Sequence, residues 1–222
     1  MKQKIQFDEI FSLLKKELQR YDDPVVSRTQ WNEIIHSPYT TLISCILSLR
    51  TKDEVTEKAS IRLLKKYGTP EKMVKLSEKK IQSLIYPVGF YKTKAKRIKD
   101  ISKTLIEQYD GKVPDDFNEL LKLKGVGRKT ANIVMTYGFN KQGFIPIDTH
   151  CNRIPNRLGW IKTKNPEETE KKLREILPEK YWTDFNHLFV TFGQTICLPI
   201  SPFCSCCPIK KYCKRVSVNR SR

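Results

Sequence analysis

The chain has 222 residues, of which 39% are hydrophobic and 30% are charged. At roughly 150 residues per domain, this length and composition indicate one globular domain or two small ones. The 42 Lys and Arg residues outnumber the 24 Asp and Glu residues, and the net charge of +18 favours a polyanionic partner, although a solvated basic surface gives the same count. No apolar run reaches the roughly 18 residues of a membrane span, and the N-terminus does not lead into a signal-peptide core, so we exclude membrane and secreted proteins.

The apolar residues follow helical spacing along almost the whole chain. The first predicted helix carries one apolar stripe, formed by Phe7, Ile10, Phe11, Leu14 and Leu18. After a loop that contains Pro24, Ser27 and Asn32, further helices are predicted at 41–49, 55–66, 81–86, 95–109, 115–123, 165–177 and 181–196. The helix at 165 begins with an N-cap Asn, a Pro at its first position and a Glu three residues after the cap. Because neither strand alternation nor an internal repeat is present, the pattern predicts an all-α protein.

Two segments of the sequence are densely basic. One contains Lys92, Lys94, Lys96, Arg97, Lys99 and Lys103, and the other contains Lys210, Lys211, Lys214, Arg215, Arg220 and Arg222. The second segment runs to the end of the sequence, and we expect residues 217–222 to form a frayed tail.

A Gly-x-Gly turn at 125–127 joins two predicted helices. Two glycines one residue apart allow positive φ angles and let the backbone approach a ligand closely. The helix that follows starts with free N–H groups, which together with the helix dipole bind one phosphate without reading any base. A plain interhelical turn is the alternative, but the apolar residues before the turn, the small Thr130 and Ala131 after it, and the net charge favour phosphate binding.

Lys129 follows this turn, and Asp148 lies 19 residues further on, before Thr149 and His150. Taken singly, a lysine is most often solvated and an Asp at a helix start is usually an N-cap. As a pair they have a chemical use, because a neutral lysine amine attacks an electrophilic carbon to form a Schiff base, while a carboxylate stabilises positive charge that develops nearby. Lowering a lysine pKa from about 10.4 to about 8 takes roughly 3 kcal/mol, which burial and a cationic neighbour such as Arg128 would supply.

The sequences GVGRKTAN at 125–132 and IDTH at 147–150 resemble, almost letter for letter, the hairpin and the carboxylate segment of the endonuclease III-like glycosylases, a family of helix-hairpin-helix base-excision enzymes. Lys124 stands where this family usually has a proline. The resemblance implies that Lys129 is the nucleophile and that Asp148 is its partner. Because monofunctional members lack this lysine, it also implies a bifunctional enzyme, which removes the base and then nicks the strand by β-elimination.

Five of the seven cysteines lie between Cys197 and Cys213, and in a chain without an export signal this clustering indicates a metal site rather than disulfides. The C-x6-C-x2-C-x5-C spacing of Cys197, Cys204, Cys207 and Cys213 suits Zn²⁺ or a [4Fe–4S] cluster, and coordination alone does not choose between them. The spacing resembles the iron–sulfur loop of endonuclease III, which implies a [4Fe–4S] cluster on these four. Cys206 is an extra thiol outside the spacing, and Cys45 and Cys151 are expected to be small buried side chains.

The resemblance extends to LSLRTKD at 47–53 and GFYKTKA at 89–95, which are similar to the family's lesion-proximal segment and to a phosphate-binding turn. Arg50 replaces the Gln that in relatives fills the gap left by the flipped nucleotide, and an Arg would also hold the opposite strand. The residues predicted to contact DNA are Gly125, Val126, Gly127, Arg128, Arg50, Gly89, Lys94, Lys210 and Lys211. We expect the cluster to fold its loop and to hold the last two lysines toward phosphates, not to perform the reaction.

Residues 5–215 follow the family, which implies the two-lobed helix-hairpin-helix DNA glycosylase fold. We assign 31–141 to a six-helix barrel with the hairpin, 1–30 and 142–215 to an iron–sulfur cluster lobe, and 216–222 to a basic tail. In that fold the cleft between the lobes binds duplex DNA.

The sequence therefore predicts a DNA glycosylase and AP lyase that removes oxidised pyrimidines of the thymine glycol class. Its expected partner is double-stranded DNA containing damaged bases or abasic sites. We expect a monomer without a membrane partner that is cytoplasmic and nucleoid-associated if the source is prokaryotic. Three alternatives stay open: a mismatch glycosylase of the same fold, against which Lys129 argues, a non-catalytic DNA-binding or redox-sensing protein, and a zinc-stabilised DNA module.

Overall fold

The computed structural model of the chain describes residues 5–21 and 37–222. The chain forms two compact units: a hairpin unit, Val25–Phe144, and a cysteine unit, which combines Met1–Pro24 with Ile145–Arg222. Regular structure within the described residues is entirely helical, which confirms the predicted all-α class. None of the described helices is long and apolar enough to cross a membrane. The loop predicted around Pro24, Ser27 and Asn32 lies outside the described residues.

The described part of the chain contains α-helices of five to nineteen residues. In chain order they are α1 (Phe7–Leu18), α2 (Pro38–Ser48), α3 (Asp53–Tyr67), α4 (Pro70–Val74), α5 (Glu78–Ile85), α6 (Tyr91–Tyr109), α7 (Phe117–Lys122), α8 (Arg128–Ile133), α9 (Thr149–Leu158), α10 (Pro166–Ile176) and α11 (Trp182–Thr195). A π-helical turn, Val134–Gly138, continues α8, and short 3₁₀ turns lie at Glu179–Tyr181 and Lys210–Tyr212.

Helix α2 is the central helix of the hairpin unit. Eight of its eleven residues are buried, so it has no polar face of the kind that a surface helix shows. It starts with a capping box in which the Ser37 side chain accepts from Thr40 N and the Thr40 side chain accepts from Ser37 N. The core around it is mainly aliphatic and includes Leu42, Ile46, Leu63, Ile81, Ile98 and Leu105.

The cysteine unit has a more aromatic core. Its largest fully buried side chains include Phe11, Phe185, Phe189 and Phe192. The ring centroids of Phe11 and Tyr181 lie 4.1 Å apart, so α1 packs against the segment that leads into α11. The predicted stripe of α1 is confirmed, because Ile10, Phe11, Leu14 and Leu18 are buried and Phe7 packs on Trp160. This stripe joins the N-terminal helix to the rest of the unit.

The N-cap predicted at Asn165 is also confirmed. Its side chain accepts a hydrogen bond from Glu168 N at 2.9 Å, while the Glu168 carboxylate accepts one from Lys164 N at 2.9 Å. The predicted helices do not include α4, α9 or the π-helical turn. A helix of five residues completes little more than one turn and shows no apolar period, and α9 contains a proline, Pro155. The remaining predicted helices are present, with ends shifted by a few residues.

The prediction that residues 217–222 form a frayed tail is wrong. Arg222 N donates to Pro202 O at 2.8 Å, and Ser205 N donates to Arg222 O at 2.9 Å. The Arg222 guanidinium lies 4.1 Å from the centroid of the Phe203 ring. The end of the chain is therefore ordered, because its backbone groups and its last cation find partners on the segment between α11 and the final 3₁₀ turn.

Candidate active site and cysteine loop

The predicted hairpin forms a tight turn between α7 and α8. Gly125 has a φ of +86°, which favours glycine, and a Cβ atom at this position would lie 2.5 Å from Arg97 Nε and displace that side chain. Val126 is 6% exposed and its N–H donates to Leu123 O at 3.0 Å. The valine therefore anchors the turn in the core, while Gly125 and Gly127 stay exposed on either side of it.

Lys129 lies in the first turn of α8, where its side chain is exposed. Its neighbour Arg128 stacks over the Phe117 ring, with the guanidinium carbon 5.0 Å from the centroid. Burial raises the pKa of the Cys45 thiol on α2 to about 12, and the Lys129 charge acts on that thiol in the opposite direction. The expected burial of Lys129 is absent, because the residues of α8 that face the core are Thr130, Ala131 and Asn132.

The structure brings together two segments that the sequence assigned separately to DNA contacts. A Cβ atom at Gly89 would lie 2.6 Å from Arg50 O, and Gly89 N donates to Thr51 Oγ1 at 3.2 Å. The Arg50 guanidinium carbon lies 5.9 Å from the centroid of the Phe90 ring, which is 63% exposed. Phe90 was not predicted from the sequence, although a large apolar residue directly after a turn glycine is a visible signal.

Lys94 is not a DNA contact, and this prediction is wrong. The residue is 4% exposed, and its ammonium donates to Leu47 O at 2.8 Å, Leu49 O at 2.5 Å and Thr51 Oγ1 at 3.0 Å. These three bonds use all three N–H donors of the ammonium group. Burial and the nearby charge of Arg97 lower the pKa of Lys94 to about 8.

Asp148 is the N-cap of α9 in the cysteine unit. Its Oδ1 accepts from His150 N at 2.9 Å and from Cys151 N at 2.8 Å. The side chain is half-buried, so the two backbone donors fix the carboxylate while part of it stays accessible. Asp148 is therefore a helix cap, which was the alternative to a chemical role in the sequence analysis. The cap uses Oδ1 and leaves Oδ2 available for chemistry.

Two arginines of α9 hold the loop that follows α11. Arg157, only 8% exposed, donates to Leu198 O at 2.6 Å and to Pro199 O at 2.5 Å. Arg153 donates to Cys197 O at 2.8 Å. Neither residue was predicted from the sequence, although their spacing of four on one helix indicates a shared face. Asp148 therefore begins the helix whose next turns support the cysteine loop, which we define as residues 196–213.

All four predicted ligands line one small cavity in the cysteine unit: Cys197, Cys204, Cys207 and Cys213. Burial raises the pKa of the Cys207 thiol to about 12, and the other three cysteines act in the same direction, so the four sulfur atoms interact. Two nitrogen donors reach these sulfurs, Arg157 Nη1 to Cys197 Sγ at 3.5 Å and Arg215 N to Cys213 Sγ at 3.3 Å. Within residues 5–21 and 37–222, no three Cys, His, Asp or Glu side chains converge on a point that one metal ion would occupy.

The remaining cysteines separate from this group as the spacing predicts. Cys206 is exposed and donates to Phe203 O at 3.6 Å, so it turns away from the cavity. Cys151 is fully buried, in agreement with the prediction, whereas Cys45 is only half-buried. The assignment of Cys207 rather than Cys206 to the ligand set therefore agrees with the position of each side chain.

The two basic residues assigned to the loop have different surroundings. Lys210 is exposed and lines the cavity of the four cysteines. Lys211 donates to Glu9 Oε1 of α1 at 2.8 Å, and this bond raises the pKa of Lys211 above its usual range. The charge of Lys211 is thus partly neutralised, and the ion pair ties the loop to the N-terminal helix.

Comparison with known proteins decides the family. Residues 43–179 match the profile of the HhH-GPD superfamily of base excision DNA repair proteins. Endonuclease III of Thermotoga maritima is 48% identical over 190 residues, which cover 86% of this chain and 89% of that protein. The chain belongs to the endonuclease III family of the HhH-GPD superfamily. The predicted family, and with it a base-excision-repair DNA glycosylase and lyase, is therefore confirmed.

Two solved structures extend this likeness to the fold of nearly the whole chain. A non-covalent endonuclease III–DNA complex superposes with a TM-score of 0.82 at 33% identity, covering 97% of each chain. A trapped endonuclease III–DNA covalent intermediate, in an estranged-adenine complex, superposes with a TM-score of 0.79 at 33% identity, covering 95% of this chain and 97% of the other. The endonuclease III family fold thus accounts for both units of the chain.

Proposed function

We propose that this endonuclease III family member removes oxidised pyrimidines of the thymine glycol class from duplex DNA and nicks the strand through a Schiff base on Lys129. The observation that carries the proposal is the position of Lys129. Lys129 is an exposed residue in the first turn of the helix that follows the two-glycine turn. In addition, a trapped covalent DNA intermediate is among the matched endonuclease III structures. We expect the enzyme to act in the compartment that contains the genomic DNA, which is the nucleoid if the source organism is prokaryotic.

The proposed reaction begins with the amine of Lys129 in its neutral form. Its nitrogen attacks C1′ of the damaged nucleotide, the glycosidic bond breaks, and the base leaves with a proton. Opening of the sugar ring gives an iminium between C1′ and the lysine nitrogen. Loss of a proton from C2′ then expels the 3′-phosphate by β-elimination, which nicks the strand. Because Lys129 is exposed in the structure without DNA, its desolvation has to come from the bound duplex.

Asp148 is proposed as the carboxylate partner of this reaction. The two N–H donors of α9 hold Oδ1, which orients the carboxylate and leaves Oδ2 for the substrate. A carboxylate fixed in this way stabilises positive charge on the deoxyribose and accepts or returns protons. The role needs no movement of the side chain, since the cap already determines its rotamer.

The proposed DNA contacts follow the exposed residues of the two turns and of the cysteine loop. Gly125, Gly127 and Arg128 would contact one phosphate at the hairpin, and Gly89 lies beside Arg50 at the second turn. Arg50 would fill the gap that the flipped nucleotide leaves in the stack. Lys210 and, more weakly because of Glu9, Lys211 would contact backbone phosphates from the cysteine loop.

We further propose that Cys197, Cys204, Cys207 and Cys213 hold a [4Fe–4S] cluster. Four half-buried cysteines that line one cavity, with N–H donors on two of the sulfurs, form a suitable environment for thiolate ligands. The resemblance of the C-x6-C-x2-C-x5-C spacing to the iron–sulfur loop of the endonuclease III family favours a cluster over a single Zn²⁺ on these cysteines. When bound, the cluster supplies a cross-link that fixes the loop, and it takes no part in base removal.

The proposal is tested by single-turnover assays on a duplex that carries one thymine glycol. We expect the wild type to release the base and nick the strand, and Lys129→Gln to lose nicking. Lys124→Gln is the matched control, because Lys124 is an exposed lysine of the same turn with the same charge. Nicking that survives Lys129→Gln would place the nucleophile elsewhere, and tight binding without any base release would support a non-catalytic DNA-binding protein.

A further inference from the structure

Arg50 has a backbone conformation that its sequence does not explain. Its φ angle is +52°, in the left-handed region that favours glycine, and it follows the last residues of the buried helix α2. Arg50 is exposed, and its guanidinium carbon lies 5.9 Å from the centroid of the Phe90 ring. The strain at Arg50 is therefore held in place by contacts to its neighbours and not by its own side chain.

Lys94 makes those contacts on both sides of Arg50. Its ammonium donates to Leu49 O at 2.5 Å on the N-terminal side and to Thr51 Oγ1 at 3.0 Å on the C-terminal side. A third bond, to Leu47 O at 2.8 Å, fixes the same cation to the end of α2. The lysine thus bridges the two residues that flank Arg50, from a helix 43 to 47 residues further along the chain.

The Thr51 hydroxyl completes the arrangement. It donates to Leu49 O at 3.3 Å and accepts from both Lys94 Nζ and Gly89 N, the latter at 3.2 Å. The backbone of Gly89 also lies close to the turn, because the Cβ atom of any other residue at this position would lie 2.6 Å from Arg50 O. Every one of these contacts fixes the backbone around Arg50, and none involves the guanidinium.

We propose that Lys94 is a positioning residue, which holds the turn Leu49–Thr51 so that the Arg50 guanidinium enters the duplex at a damaged site. The inference rests on the proposed function, since it assigns Arg50 to the gap beside the flipped nucleotide. Lys94 touches no DNA in this role and acts only through Arg50. It thereby sets the discrimination between damaged and intact duplex, while the exposed lysines set the affinity for any duplex.

A simpler role for Lys94 is to stabilise the C-terminus of α2, where a cation interacts favourably with the helix dipole. The two roles differ in one measurable respect. Loss of a stabilising residue weakens binding to every DNA, whereas loss of a positioning residue changes only the interactions that Arg50 makes. A double-mutant cycle between Lys94 and Arg50 separates them.

The cycle uses fluorescence anisotropy with two duplexes, one carrying a tetrahydrofuran analogue of an abasic site and one undamaged. We expect Lys94→Met to lower the ratio of the two affinities about tenfold, in the range of coupling between contacting groups, with undamaged-duplex affinity changed less than about twofold. In an Arg50→Ala background, Lys94→Met should change the ratio by less than about twofold. An equal loss in both backgrounds, or an equal loss on both duplexes, would overturn the inference.

Thr51 provides a second route if Lys94→Met does not fold. Thr51→Val removes the hydroxyl at nearly constant volume, and Thr51→Ser keeps the hydroxyl. We expect the valine to lower the affinity ratio and the serine to restore it. Lys96→Met, at an exposed position of the same helix, controls for the lost charge and should lower both affinities alike.

The outcomes also separate this inference from the proposed function. If Arg50→Ala leaves the ratio of the two affinities unchanged while the enzyme still nicks DNA through Lys129, the positioning role of Lys94 is overturned and the proposed function stands. If the wild type does not distinguish the two duplexes at all, both are overturned.

Discussion

The two units of the chain differ in how their chain segments are connected and in what holds their loops and turns in place. The hairpin unit is continuous in sequence and packs seven described helices around a mainly aliphatic core, and its two functional turns are fixed by glycines and by Lys94. The cysteine unit joins distant parts of the chain around an aromatic core, and its loop 196–213 contains only one short 3₁₀ turn. Helix packing therefore accounts for the core of the hairpin unit, whereas the cysteine loop depends on side-chain contacts such as those of Arg153 and Arg157.

This difference gives the two residues proposed for catalysis different kinds of support. Lys129 begins a helix whose next residues are buried in the hairpin core. Asp148 caps a helix that holds the cysteine loop through Arg153 and Arg157. Changes at the cysteine loop therefore reach Asp148 through α9, while Lys129 should be insensitive to them.

The largest effect is expected at Asp148, where cap and chemistry coincide. Asp148→Asn keeps an N-capping side chain but removes the charge, so we expect base release to fall by about 10²- to 10⁴-fold with little change in stability. Asp148→Ala should lose activity and in addition about 1 kcal/mol of unfolding free energy, because the cap is lost. Single-turnover base release and urea unfolding check these values. If Asp148→Asn keeps an activity close to that of the wild type, Asp148 acts only as a helix cap.

The second prediction compares adjacent cysteines. Cys207→Ser should abolish the brown visible absorption and the stoichiometric iron and sulfide of the purified protein, whereas Cys206→Ser should keep them, because Cys206 is exposed and turned away from the cavity. Hydrogen exchange should then show lost protection in α9 and α11 of Cys207→Ser and unchanged protection in α2. A colourless wild-type protein that binds one zinc ion would contradict the proposed cluster. Equal loss of protection in both units would contradict the expectation that changes in the cysteine loop do not reach the hairpin unit.

The sequence predicted the parts of the molecule that have strong local signals. The α1 stripe, the Asn165 cap and the spacing of four cysteines around a shared cavity were all visible in the pattern of residue types. Lys94 was misassigned because a lysine in a basic segment is normally solvated, yet it stands four residues before the buried Ile98 and so shares the apolar face of α6. The ordered tail was missed because its partners, Pro202 and Ser205, are brought to it only by tertiary folding.

A third prediction concerns the two glycines of the hairpin. Gly125→Ala should destabilise the protein by about 1 kcal/mol or slightly more, a drop of roughly 2–4 °C in Tm, because φ is +86° there and the new methyl group meets Arg97. Gly127→Ala is the matched variant, since its Cβ would have no atom within 4 Å, and its Tm should change by less than about 1 °C. Thermal unfolding measures both. Equal shifts would show that the positive φ of Gly125 does not determine the turn.

The smallest effect is expected from the lysines of the cysteine loop. Lys210→Gln should reduce the slope of log affinity against log salt by about 1, as for the loss of one phosphate contact. Lys211→Gln should reduce it by less, because Glu9 already pairs with this charge. Anisotropy titrations on undamaged duplex from low to moderate salt give both slopes. Unchanged slopes in both variants would remove this loop from the DNA interface.

The proposed mechanism depends most directly on which lysine forms the covalent bond to DNA. Borohydride reduction during turnover of a thymine glycol duplex, followed by protease digestion and mass spectrometry, identifies the modified residue. We predict one adduct on the peptide that contains Lys129, and none in Lys129→Ala. An adduct on any other lysine, or one that persists in Lys129→Ala, would contradict the proposed active site.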